Sequence, residues 1–263
     1  MHRLKDKETF LLDMDGTIFL GNELIDGALD FLETIKEKGK RYIFLTINSS
    51  KNKLSYVEKL GKLGIHADKE DIFTSGEATT RYLKRKKEGA RIYLLGTPAL
   101  EEEFEMEGFQ LVKERHQEVD FVVLGFDTTL TYEKLWGACE YIAAGVEYIA
   151  THPDFNCPLP NDAFMPDAGA MAALIEASTG KKPKVIGKPN KEVVESIADK
   201  YGLDKSGMVM VGDRLYTDVQ TGINAGITAV VVFSGETKTE DYEASPIRAD
   251  FSFPSVKYMI QDL

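Results

Sequence analysis

The chain has 263 residues, of which 43% are hydrophobic, 29% charged and 10% aromatic, a composition typical of a soluble globular protein. This length has room for one large domain or two smaller domains with separate cores. The net charge of −11 argues against nucleic acid as a partner, since phosphate backbones select clustered basic surface. An anionic substrate must therefore be held by local charge, from a metal ion or a few lysines.

Apolar runs in this sequence stay short of the roughly 18 residues that a membrane span needs, so we expect no membrane partner. The charged N-terminal residues lead directly into an apolar segment, which predicts that there is no signal peptide. Cys139 and Cys157 have neither metal nor redox spacing, and we expect two reduced thiols, with a single disulfide as the alternative. Together these features predict a cytoplasmic location.

Short apolar runs alternate with helical patterns from the start of the sequence. The first run, Phe10 to Leu12, lacks polar alternation, as expected of a strand buried on both faces of a parallel sheet. A helix is predicted with its apolar stripe over 28–35 and its stop at Gly39, then a strand over 42–45, a helix ending near 61–64 and a strand at 72–73. This alternation predicts an α/β fold with a Rossmann-like parallel sheet.

The segment over residues 83–182 has a strand and helix alternation of its own. Its predicted strands lie at 91–95, 121–124 and 147–150, and its predicted helices lie at 99–106 and 132–144. The pattern of the first part returns afterwards, with predicted strands at 208–211 and 227–232. We therefore predict a core domain formed by 1–82 and 183–263, and a second α/β domain over 83–182.

Polar residues follow the predicted strands at 10–12, 42–45 and 208–211 and the short apolar pair Val185-Ile186, at the point where ligands bind in open parallel sheets. These strand ends are 13–17, 46–50, 187–189 and 212–218. The carboxylates of Asp13 and Asp213 suit a hard cation such as Mg²⁺. A carboxylate can also act as a phosphoryl nucleophile, and two aspartates one residue apart can divide attack and proton transfer between them.

These segments resemble the motifs of the haloacid dehalogenase (HAD) superfamily of phosphatases. They are Asp13-Met14-Asp15-Gly16-Thr17, Thr46 at a strand end, Lys188 in Gly-Lys-Pro-Asn, and Gly212-Asp213 through Asp218. The closer resemblance is to the NagD-like branch, which includes p-nitrophenylphosphatases and carries an α/β cap between the second and third motifs. The segment 83–182 occupies that place, and Thr151 to Asp154 with Pro166 to Ala170 is similar to the cap signature of the branch.

The resemblance implies a role for each matching residue. Asp13 would be the nucleophile and a metal ligand, and Asp15 the acid/base and a further ligand through its backbone carbonyl. The phosphoryl oxygens would be held by Thr46 and Lys188, with help from Asn48. Asp213 would complete the Mg²⁺ site and Asp218 would support it. In the cap, Asp154 would contact substrate.

The implied activity is magnesium-dependent hydrolysis of small phosphate monoesters through an aspartyl-phosphate intermediate. The substrate classes of the branch are sugar phosphates, nucleotides, phosphoglycolate and pyridoxal phosphate. Two residues depart from the branch pattern, which has an asparagine at each of the positions that Ile47 and His152 occupy here. Ile47 puts one substrate-contacting amide in doubt, and His152 could change what the cap accepts.

Two other functions fit part of this pattern. A receiver domain that accepts phosphate also gathers aspartates, a threonine and a lysine at strand ends, but it is about half this length and has no use for Asp15 as a proton donor. A catalytically silent binding protein with the HAD fold is the second alternative. Association of the chain with itself through the cap stays open.

Overall fold

The computed structural model describes residues 3–158 and 163–263, which form two compact units. The first unit comprises Met1–Thr46, Lys53–Phe73 and Lys188–Leu263, and the second comprises Ile47–Asn52 and Thr74–Gly187. The short stretch Ile47–Asn52 thus belongs to the second unit, although the chain on both sides of it belongs to the first.

The strands and helices of the described residues are numbered here in chain order. The strands are β1 Thr9–Leu12, β2 Phe19–Leu20, β3 Glu23–Leu24, β4 Arg41–Thr46, β5 Ile72–Thr74, β6 Arg91–Leu95, β7 Gln110–Leu111, β8 Phe121–Leu124, β9 Glu147–Ala150, β10 Asn156–Pro158, β11 Phe164–Pro166, β12 Lys184–Val185, β13 Met208–Gly212, β14 Thr228–Val232 and β15 Phe251–Phe253. The helices are α1 Ala28–Glu37, α2 Lys53–Lys62, α3 Ser75–Lys86, α4 Pro98–Met106, α5 Tyr132–Ala143, α6 Ala168–Thr179, α7 Lys191–Tyr201, α8 Gln220–Ala225 and α9 Thr239–Ala244.

The first unit is built on a six-stranded sheet with the order β15-β14-β13-β1-β4-β5. The central strand β1 is parallel to both neighbours, so that Leu12 lies beside Val211 on one side and Phe44 on the other. Every residue of β1, β13 and β14 is buried, which explains why the sequence of these strands shows no polar alternation. Helix α1 covers one face, with Phe31 packed edge-to-face on Phe10.

The parallel register has a direct consequence for the polar segments. Because β1, β4 and β13 run in the same direction and Leu12, Phe44 and Val211 are level, the residues that follow these strands emerge at one edge of the sheet. The end of β14 joins the same edge, since Val231 is level with Gly212.

The second unit has its own five-stranded parallel sheet, with the order β12-β9-β8-β6-β7. Side chains from β6, β8, β9, α5 and α6 form a separate core that includes Tyr93, Leu124, Tyr148 and Ile175. Strands β10 and β11 form a separate antiparallel hairpin, which contacts α6.

The predicted α/β fold with a parallel central sheet is confirmed. The compact second unit, however, begins at Thr74 and ends at Gly187, outside the predicted limits of 83–182, and it takes in Ile47–Asn52. The reason is that α3 packs on α4 of the second unit, and the hydroxyl of Thr74 before it bonds to Glu103 of α4 at 3.1 Å. None of the helices in the described part of the chain is long and apolar enough to span a membrane.

Candidate active site

The segment after β1 forms a tight turn that separates its two aspartates. Asp13 continues the ladder through its N–H to Val211 O at 2.9 Å, and its side chain is only 15% exposed, whereas that of Asp15 is 61% exposed. Gly16 follows with a φ of +88°, a conformation that costs glycine little, and its N–H donates to Phe19 O. A methyl group at Gly16 would overlap the carboxylate of Asp213, so glycine is also required there for space.

Lys188 is the buried cation of this site. Its Nζ donates to Asp13 Oδ1 at 2.5 Å and to Asp218 Oδ1 at 2.6 Å, and its side chain is almost wholly buried. Burial alone would lower the pKa of Lys188, but the carboxylates of Asp13 and Asp218 outweigh burial and raise it, so the ammonium group keeps its charge.

The two aspartates after β13 differ in their bonding. Both oxygens of Asp218 accept hydrogen bonds, Oδ1 from Lys188 and Oδ2 from the N–H of Arg214 at 3.1 Å. Asp213 Oδ2 accepts from the N–H of Glu236 at 2.7 Å, whereas its buried Oδ1 has no hydrogen-bond partner among the described residues. An unpartnered buried carboxylate oxygen is costly unless another ligand takes it.

Asp13, Asp213 and Asp218 each bring one carboxylate oxygen to within 4.8 Å of the others. Burial raises the pKa of Asp13 well above its usual range, helped by Asp218 and Asp213 and opposed by Lys188. Burial and the charge of Asp218 likewise raise the pKa of Asp213 to about 6. Three carboxylates against the single ammonium of Lys188 leave two negative charges in excess when all are ionised, the nearby guanidinium of Arg214 being paired with Glu236.

These observations show that the residues present fit a divalent cation. The unpartnered Asp213 Oδ1 offers it a ligand, the excess of negative charge equals its charge, and an all-oxygen donor set is what Mg²⁺ prefers. Asp218 fits a supporting place, because protein donors already occupy both of its oxygens.

Asp15 lies close to one lysine of α2. Lys59 Nζ is 3.5 Å from Asp15 Oδ1 and 3.9 Å from the centre of the Phe19 ring, so the ammonium group is held between a carboxylate and an aromatic face. Asp15 is thus exposed and near a cation, in contrast to the buried Asp13.

The two predicted residues at the end of β4 belong to different units. Thr46 ends the strand in the first unit, is buried, and its hydroxyl donates to Tyr56 OH at 3.3 Å. Asn48 belongs to the second unit, where its Oδ1 accepts from the N–H and the hydroxyl of Ser50 at 2.9 and 2.7 Å. The side-chain oxygen of Asn48 therefore stabilises the turn at 48–50.

In the second unit, the two singled-out residues after β9 have different environments. The imidazole of His152 is fully buried, and both of its nitrogens are bonded, Nδ1 with Thr151 Oγ1 at 2.9 Å and Nε2 with Asp167 Oδ1 at 2.8 Å. His152 therefore offers no free atom to a substrate. Asp154 is partly exposed, and its carbonyl accepts the N–H of Gly169 at 2.7 Å. Residues 159–162 of this loop, with Pro160, lie outside the described residues.

The sequence reasoning missed the loop that follows β14. Besides the N–H of Glu236, this loop supplies the hydroxyl of Ser234, which donates to Gly16 O at 2.7 Å, and it comes so close at Gly235 that a methyl group there would overlap Asp213. The strand over 227–232 was predicted, and the polar run after it was the signal that could have added a fifth strand end to the site. Lys59 carried no such signal, because a lysine on a helix is most often a solvated residue.

Comparison with known proteins gives the class to which this fold and site belong. Residues 10–110 match the family described as haloacid dehalogenase-like hydrolase, and residues 185–259 match the related family described as HAD-hydrolase-like. The chain belongs to the haloacid dehalogenase-like hydrolases, and within them to the NagD-like branch; it is an enzyme of the phosphatase class. A receiver domain is a different class of protein and is excluded.

Three relatives illustrate how closely the chain resembles known phosphatases. It is 35% identical over 260 residues, 99% of both chains, to an acid sugar phosphatase of Staphylococcus aureus. Its structure matches the 4-nitrophenylphosphatase of Thermotoga maritima with a TM-score of 0.93 and 48% identity, covering 99% of each chain. It also matches a glycerol phosphate phosphatase of Mycobacterium tuberculosis in complex with magnesium, with a TM-score of 0.90 and 28% identity, covering 100% of this chain and 79% of that one.

Proposed function

We propose that the chain hydrolyses small phosphate monoesters with the help of Mg²⁺, through an aspartyl-phosphate formed on Asp13. The observation that carries the proposal is the pairing of Asp13 with Lys188 beside the unpartnered oxygen of Asp213. Sugar phosphates, glycerol phosphate and p-nitrophenyl phosphate are the first substrates to test, since the similar proteins named above include phosphatases of these kinds.

The proposed reaction begins with attack of a carboxylate oxygen of Asp13 on phosphorus. The bond from Lys188 to Oδ1 holds this carboxylate in one orientation and keeps a positive charge beside the phosphoryl group, which carries negative charge throughout the transfer. Bound Mg²⁺, held by Asp13, Asp213 and the backbone carbonyl of Asp15, would supply further positive charge to the phosphoryl oxygens.

Proton transfer is assigned to Asp15. An acid must reach the leaving-group oxygen, and the side chain of Asp15 is exposed just two residues beyond the nucleophile. In the first step Asp15 gives its proton to the departing alcohol as the P–O bond breaks. It then takes a proton from the water that attacks phosphorus, and the bond between phosphorus and Asp13 breaks to release inorganic phosphate.

We assign the catalytic steps to the first unit and substrate selection to the second, as a cap. Thr46 and Asn48 are proposed to help hold the phosphoryl group, and Asp154 to contact the rest of the substrate. A cytoplasmic location is proposed, since Cys139 and Cys157 are not joined in a disulfide. Self-association through the second unit is also proposed. The exposed aromatic rings of Tyr132, Trp136, Phe155 and Phe164 in that unit support it, and sedimentation of the protein at several concentrations tests it.

The test of the mechanism is hydrolysis of p-nitrophenyl phosphate by Asp13→Asn. This variant keeps the shape of the side chain and removes the nucleophilic charge, so kcat should fall by about a thousandfold or more. Wild-type activity should disappear in excess chelator and return with added Mg²⁺.

Retention of a tenth of the activity by Asp13→Asn, or full activity in chelator, would refute the mechanism. An inactive wild-type protein would instead favour the catalytically silent alternative. A mixed panel of phosphate esters, with kcat/KM measured for each, defines the substrate.

A further inference from the structure

Four buried polar side chains of the second unit form a continuous hydrogen-bonded group, which we call the His152 network. It runs from Ser49 Oγ to Thr151 Oγ1 at 3.0 Å, from Thr151 to His152 Nδ1 at 2.9 Å, and from His152 Nε2 to Asp167 Oδ1 at 2.8 Å. Each of these side chains is buried, so the bonds are shielded from water.

The hydrogen-bond directions of the His152 network are mutually consistent. Asp167 as a carboxylate can only accept, so His152 Nε2 donates to it, and Nδ1 can accept from the hydroxyl of Thr151. Thr151 then accepts from the hydroxyl of Ser49, which in turn accepts from the N–H of Phe126 at 2.8 Å. Asp167 Oδ1 also accepts the N–H of Ala168 at 2.6 Å, so the series ends on a carboxylate that the backbone holds in place, an arrangement that specifies one geometry.

The network includes residues near two of the positions at which the chain enters or leaves the second unit. Ser49 belongs to the stretch Ile47–Asn52, and Ile47 O accepts the hydroxyl of Ser75 at 2.6 Å. The carbonyl of Thr151 accepts the N–H of Gly187 at 2.9 Å, and a methyl group at Gly187 would overlap this carbonyl. Gly187 is therefore held by the backbone of Thr151, whereas Ile47 is bonded to Ser75 and is tied to the network through Ser49, two residues later.

These two ends are the sequence neighbours of proposed phosphate ligands. Ile47 is bonded covalently to Thr46, and Gly187 is bonded covalently to Lys188. We infer that the His152 network is a positioning device, which fixes Ile47 and Gly187 and through these peptide bonds sets where Thr46 and Lys188 stand. The inference rests on the proposed function, because that function is what makes Thr46 and Lys188 ligands of the phosphoryl group.

This inference assigns His152 a place that differs from the one expected from the sequence. A residue that reads the leaving group changes the relative kcat/KM of different esters, whereas a residue that positions phosphoryl ligands changes all of them alike. His152 belongs to the second kind, because its imidazole is buried and both ring nitrogens are hydrogen-bonded within the protein. Asp154, which is partly exposed, is the matched residue of the first kind.

The test uses Thr151→Val, which keeps the shape of the side chain and removes only the hydroxyl between Ser49 and His152, together with Ser49→Ala. We expect kcat/KM to fall about tenfold to a hundredfold, by the same factor for p-nitrophenyl phosphate, glycerol phosphate and a sugar phosphate. Asp154→Ala should instead change the ratios among these esters. Amide hydrogen exchange, which does not depend on activity, should become at least about tenfold faster in 47–52 and at Gly187.

Tyr141→Phe is the control, since it also removes a buried hydroxyl of the second unit. That hydroxyl bonds to the backbone of Glu114 and Gln117, away from the network. The control should lose stability but keep the wild-type kcat/KM, and its activity shows that the proposed function itself stands. Three results would each overturn the inference. They are a wild-type kcat/KM in Thr151→Val and Ser49→Ala, unchanged amide exchange at 47–52 in these variants, and altered kcat/KM ratios among the esters.

Discussion

Asp13, Asp213 and Asp218 differ in how many of their oxygens the protein already uses. Asp218 has both oxygens bonded to protein donors, whereas Asp213 keeps Oδ1 buried without a partner among the described residues. The family resemblance predicted Asp213 as a metal ligand and Asp218 as its support, but the sequence alone gives no physical reason for the distinction. That distinction depends on backbone N–H groups, such as that of Glu236, which every residue type except proline has.

Replacing Asp213 separates stability from metal binding. Without a cation, the buried charges of Asp213, Asp13 and Asp218 oppose folding, so Asp213→Asn should stabilise the metal-free protein by about 1–3 kcal/mol. The same variant should lose most of the rise in unfolding temperature that Mg²⁺ gives the wild type, because a ligand is gone. Thermal unfolding with chelator and with Mg²⁺ measures both effects.

Asp127→Asn provides the comparison for Asp213→Asn. Asp127 is equally buried, but Lys134 and Thr129 already satisfy its carboxylate. This variant should be less stable than the wild type and should keep the full Mg²⁺ effect. A metal-free Asp213→Asn protein as destabilised as Asp127→Asn would contradict the charge argument.

The role of Asp15 can be separated from that of Asp13 by the leaving group. Asp15→Asn removes the acid but keeps the nucleophile, so formation of the aspartyl-phosphate should slow by about a hundredfold or more for an alkyl phosphate. p-Nitrophenolate departs with little help from a proton and should be affected far less. Single-turnover kinetics on both esters measure this step, and an equal loss for both would remove Asp15 from the acid role.

At the scale of elements, the loop after β14 holds Asp213 in place by close approach as well as by hydrogen bonding. Gly235→Ala would put a methyl group into the carboxylate of Asp213, so we expect the Mg²⁺ concentration for half-maximal activity to rise about tenfold or more. Gly207→Ala is the matched control, because a methyl group there would meet only ordinary contacts, 3.7 Å from Glu8 Cβ. Equal metal requirements in the two variants would show that the loop yields without moving Asp213.

The elements that the sequence predicted well are strands with continuous apolar runs and helices with apolar residues at helical spacing. Strands β6, β8 and β9 lie at the predicted residues, and α4 and α5 are within one residue of prediction. The hairpin β10–β11 was missed because three-residue strands are too short to show a period. Helix α6, an alanine-rich segment over Ala168–Thr179, was missed because its apolar residues are not confined to one stripe, and several of them stay partly exposed.

Network contacts such as that between Ser49 and Thr151 were also beyond sequence reasoning. The two residues are 102 positions apart, and each taken alone is an ordinary hydroxyl at a strand end. The motifs supplied the residues of the site, whereas the loop of Gly235 and the limits of the two units depended on tertiary packing.

At the scale of the whole molecule, the two units have separate cores, and the three clustered carboxylates all belong to the first. The single tryptophan, Trp136, lies in α5 of the second unit and reports on that unit alone. We therefore expect Mg²⁺ to raise the urea concentration at which the first unit unfolds, seen as a shift in part of the circular dichroism transition. The midpoint of the tryptophan fluorescence transition, which reports on the second unit, should not change. A tryptophan midpoint that moves with Mg²⁺ by the same amount would show that the units unfold together.

The position of Ile47–Asn52 has a consequence for building chimeras between phosphatases of this family. A graft of the second unit cut only at 73/74 and 187/188 would carry Thr151 into a new protein without its Ser49. The donor's hydroxyls would then face whatever residue the recipient has at that position. A faithful transplant takes two pieces of chain and four cuts, so exchange of specificity by simple recombination is harder for this architecture than the sequence order suggests.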